Sequence, residues 1–108
     1  MPSYGVVLVT VENQSGAEAI ASALVQENLA ACVNLFPIQS VYRWEGKICQ
    51  DPEYQLLIKT DLAHFEALAA RVTELHPYEV PEIIVLPITT GSAAYLAWIG
   101  ETVRPDRG

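Results

Sequence analysis

Basic residues are scarce in this chain. Six Lys plus Arg stand against thirteen Asp plus Glu, giving a formal charge of −7 over 108 residues. That balance repels phosphate backbones and anionic lipid, which argues against nucleic acid and membrane partners, and it concentrates small cations. Acidity that serves solubility alone has the same composition, so the charge permits a cation ligand without requiring one. Cysteines are few as well: Cys32 and Cys49 lie 17 residues apart with no CxxC and no paired histidines, a spacing that fits neither a zinc module nor a disulfide framework. Reduced thiols in a cytoplasmic setting are expected. The first residues, "MPSYGVVLVTVENQSG", have no basic region and only a short apolar run, too short for a signal peptide or a membrane span. No glycine-rich anion loop is present and the first arginine is Arg43, which disfavours a phosphatase. There are no repeats, and 51% hydrophobic residues suit one domain spanning 1–108.

What is present alternates between strand and helix patterns. "YGVVLVTV", Tyr4 to Val11, is β-branched and reads as a central strand. "SGAE" at Ser15–Glu18 reads as a capping box, followed by Ala17, Ile20, Ala21, Leu24 and Val25 at helical spacing to about Leu29. "AACVNLFPIQSVYRW" reads as a long strand broken at Pro37, where a bulge, bend or edge is expected. Glu45–Gly46 suits a tight hairpin, and "EYQLLIKT" returns as the next strand. Asp61 to Leu75 is a second amphipathic helix, stopped by Pro77. "EIIVLPI" is a short strand, and "GSAAYLAWIGETV" a final helix fraying into "RPDRG". The order β-α-β-β-α-β plus a helix predicts an α+β, ferredoxin-like antiparallel sheet with its first two helices on one face.

That fold serves many functions, so residues must discriminate. An RNA binder would place aromatics on its central strands, where Val6, Val7, Leu8 and Val9 stand. Cys32 and His76 could form a nucleophile and base if the fold joined them, giving a small enzyme; an inert, buried Cys32 is the plainer alternative. His64, mid-helix beside Phe65, reads as a surface residue. Tyr42, Arg43 and Trp44 crowd the hairpin tip, and strands this long would overhang their sheet, so a homo-oligomer is expected to cover both. A purely structural assembly that anchors another protein by these aromatics is a further alternative. In "HPYEVPEI" two prolines stiffen the connection that carries His76, Tyr78, Glu79 and Glu82, which suits a ligand site as well as a helix stop followed by a strand.

Five ordered segments carry a resemblance: "LAACVN" at Leu29–Asn34, "YRWEGKI" at Tyr42–Ile48, "LLIKT" at Leu56–Thr60, "HPYEVPEI" at His76–Ile83 and "YLAWI" at Tyr95–Ile99. Together they resemble the CutA family of divalent cation tolerance proteins over nearly the whole chain. The resemblance implies a PII-like trimer that binds copper or another divalent cation, or a small regulator, and takes part in metal-ion response without catalysis. It also implies ligand binding in clefts between subunits by Cys32, Trp44, Lys59, His76, Tyr78, Glu79 and Glu82, with His76 and Cys32 as copper donors. Val9 and Leu75 occupy positions where some relatives carry a further cysteine and a second histidine, so the resemblance leaves His76 and Cys32 as the nitrogen and sulfur donors.

Overall fold

A computed structural model describes residues 3–104. The elements run β1 (Tyr4–Val11), α1 (Gln14–Gln26), β2 (Cys32–Trp44), β3 (Lys47–Asp61), a single 3-10 turn (Leu62–His64), α2 (Phe65–Leu75), β4 (Ile84–Pro87) and α3 (Ala93–Thr102). The four strands form one antiparallel sheet in the order β2-β3-β1-β4, the expected α+β arrangement. Of the "RPDRG" tail, residues 105–108 lie outside the described residues.

Strict alternation divides the sheet into two faces. Val7, Val9 and Val11 of β1 and Leu56 and Ile58 of β3 point to one face, where Ile20 and Leu24 of α1 and Leu68 and Val72 of α2 complete a core exposed by 2% or less. The opposite parity, Val6, Leu8, Phe36, Leu57, Ile84 and Leu86, forms a second apolar face without a full cover. α3 reaches only one end of it: Ile99 packs with Tyr4 and Ala31, and a Cβ on Gly100 would stand 2.8 Å from the Tyr4 hydroxyl, so glycine permits this approach.

Several local expectations are corrected. Asn13, two residues before Ser15, caps α1: its Oδ1 accepts from the Gly16 amide at 2.8 Å and from the Ser15 hydroxyl at 3.0 Å. The helix stops at Gln26, before Leu29, because Asn28 takes a left-handed φ of 61°. β2 is not interrupted at Pro37, which stays in register opposite Tyr54; of the bulge, bend or edge expected there, the edge holds, since β2 is an edge strand where a missing amide is tolerated. β3 begins at Lys47, six residues before Glu53.

The hairpin is as oversized as its sequence suggested. Trp44 pairs with Lys47 around Glu45 (φ 51°) and Gly46 (φ 79°), two positive values that match the sheet twist. β1 pairs with β3 only from Tyr54 to Asp61, so among the described residues Lys47–Glu53 has β2 on one side and no strand on the other.

Candidate functional site

The stiff connection after α2 folds back onto β1 and β3 and makes one wall of a groove. His76 caps the C-terminus of α2 and is only 7% exposed. The Tyr78 amide donates to His76 Nδ1 at 3.0 Å. That bond places the ring proton on Nε2, which donates to the Thr10 carbonyl at 2.7 Å. Tyr78 turns back so that its ring centroid lies 4.6 Å from the imidazole, and its hydroxyl donates to Glu53 Oε2 at 2.7 Å. Burial of Tyr78, and next its bond to Glu53, push its pKa up.

Across the groove, the β2–β3 ribbon supplies Tyr42 and Trp44. The Tyr42 hydroxyl donates to Asp51, chiefly through which its pKa is pushed up to about 12. The cavity between these walls has a volume of about 680 Å³ and is lined by Tyr42, Trp44, Glu53, Tyr78, Glu79 and Glu82 among others. Aromatic rings and carboxylates thus face one another in an open cleft of the size that holds a small molecule.

Of the seven residues expected to bind a ligand, the structure brings Trp44, Tyr78, Glu79 and Glu82 to this groove, with His76 directly behind Tyr78. Cys32 and Lys59 lie elsewhere. They are cross-strand partners at the other end of β2 and β3, and the Lys59 ammonium sits 5.8 Å from the centre of the Tyr95 ring. Glu53 and Lys59 are six residues apart on one strand, about 20 Å at the usual rise. Within one chain the seven form two groups.

The same separation bears on the chemistry. Thr10, which holds His76, pairs with Gln55, while Cys32 pairs with Lys59, so the imidazole and the thiol are offset by four residues of β3, about 13 Å. They form no nucleophile–base pair within one chain. They likewise cannot grip one copper ion there, and both nitrogens of His76 are already engaged. Among the described residues no three His, Cys, Asp or Glu side chains are placed to hold a metal. The donor set of one chain therefore does not fit copper, and a metal centre would need groups from more than one copy.

Two residues escaped the sequence reading. Glu53, 9% exposed, and Asp51 stand on the ribbon as acceptors for Tyr78 and Tyr42. A carboxylate in strand parity with Leu57 rather than Leu56 is a local sign of an unusual face, but its partner is 25 residues away and only folding joins them.

Known proteins complete the picture. A family model described as CutA1 divalent ion tolerance protein matches residues 5–102. The chain belongs to this family. It is similar to the divalent-cation tolerance protein CutA of Thermus thermophilus, 52% identical over 97 residues that make up 89% of this chain and 94% of that protein. It is also similar to the chloroplastic protein CutA of Arabidopsis thaliana, 50% identical over 100 residues, 92% of this chain but only 55% of that longer protein. A structure of the periplasmic divalent cation tolerance protein CutA from Archaeoglobus fulgidus superposes with a TM-score of 0.92 at 39% identity, over 94% of this chain and 99% of that one. The Thermus and Archaeoglobus proteins are named for divalent-cation tolerance, not for a reaction, and the names place the Arabidopsis protein in a chloroplast and the Archaeoglobus protein in a periplasm. In this CutA1-family chain no described helix is long and apolar enough to cross a membrane.

Proposed function

We propose that this chain is a cation-responsive homotrimer that binds a divalent or copper ion, or a small regulator, in clefts shared between its copies. The observation that carries this reading is the uncovered sheet face. Phe36, Ile84 and Leu86 are 42%, 51% and 50% exposed, and they are continuous with Val6, Leu8 and Leu57 across β1 and β3. An apolar face of this extent marks an interface. The free edge of Lys47–Glu53 supports the same conclusion, because two-stranded ribbons are marginal alone and unpaired edges invite a further strand. Three is the number that the likeness to CutA implies.

Assembly also explains why the seven candidate residues fall into two groups. In a cleft shared between copies, Cys32 and Lys59 of one copy would complete the groove of another, which the register of β2 and β3 prevents within a chain. Copper ligation by His76 and Cys32 makes a specific demand: His76 must release either Thr10 or Tyr78 before a nitrogen is free. The two free cysteines suit a cytoplasmic setting.

Native mass spectrometry with and without Cu(II) tests this reading. The expected result is a trimer that takes up metal, with both properties weakened together by Leu86→Glu on the open face. A monomer, or metal uptake that is indifferent to assembly, rejects it. A second reading, a trimer that anchors another protein, is favoured by Tyr95 and Trp98 of α3, both 42% exposed with rings 5.4 Å apart.

A further inference from the structure

We draw no further inference here: the strongest candidate, the exposed aromatic patch that Tyr95 and Trp98 of α3 form beside the Lys59 ammonium, carries nothing because nothing in the structure shows what covers it.

Discussion

Replacing His76 by alanine should destabilise the protein by at least about 3.5 kcal/mol, because the imidazole fastens three segments together. It removes the bond to the Thr10 carbonyl and the bond from the Tyr78 amide, each contributing about 0.5–1.5 kcal/mol net, with a cost of about 1–3 kcal/mol for a buried group left unmet. Loss of a ring only 7% exposed adds about 1–2 kcal/mol of apolar burial, and the contact with the Tyr78 ring adds about 0.5–1.5 kcal/mol. The comparison variant is Tyr78→Phe, which keeps the ring and the amide bond to His76 but deprives Glu53 of its donor, and which should cost about 1–2 kcal/mol. Urea unfolding should be followed at several protein concentrations, since assembly adds its own stabilisation. Copper uptake is measured in parallel by calorimetry. If His76→Ala unfolds within about 0.5 kcal/mol of the natural chain, below what even one lost hydrogen bond contributes, while Cu(II) binding disappears, then His76 is a metal ligand and not a fastener.

Alkaline pH should reveal the two tyrosine–carboxylate bonds. Tyr42 and Tyr78 have folded pKa values above the ordinary phenol value of 10.0, so their stabilisation is fully present below that pH and is lost as pH rises above it, toward about 12 for Tyr42. Ultraviolet titration should show two of the five tyrosines ionising late; simultaneous ionisation of all five in the folded protein contradicts these bonds. Leu56→Ala, in the helix-covered core, should cost about 2–5 kcal/mol without changing the subunit count, whereas Leu86→Glu should dissociate the assembly with little loss of helix by circular dichroism. The reverse pattern would mean that the two sheet faces are misassigned. Glu45→Asn should stabilise by about 0.5–1 kcal/mol, because asparagine accepts the positive φ of the hairpin better than glutamate does; a decrease in the urea midpoint would show that the Glu45 side chain has a role outside the turn. Cys32 should react slowly with iodoacetamide, as no histidine lies beside it and the ammonium of its cross-strand partner Lys59 sits over the Tyr95 ring, and rapid modification at neutral pH would reopen the enzyme alternative.

The sequence by itself determined the elements and their order, because those depend on signals that lie close together in the chain. The β-branched apolar run of "YGVVLVTV", the helical spacing of Phe65, Leu68, Ala69 and Val72, and the Glu45–Gly46 turn are each legible within a few residues. The oversized hairpin was legible too, from the lengths of its strands. Tertiary structure decided whatever depends on distant partners. At Pro37 the sequence left a bulge, a bend or an edge open, and only the strand order decided for the edge, with no ladder on the outer side of β2 among the described residues. Ser15 resembled a cap, but Asn13, two residues earlier, reached the first free amides of α1. The fate of His76 required Thr10, 66 residues away, and the burial of Glu53 required Tyr78 to fold back over β3. Lys59 and Cys32 stand in motifs like the groove residues do, yet the rise of an extended strand holds them about 20 Å from Glu53, a spacing that no local pattern encodes and that register alone fixes.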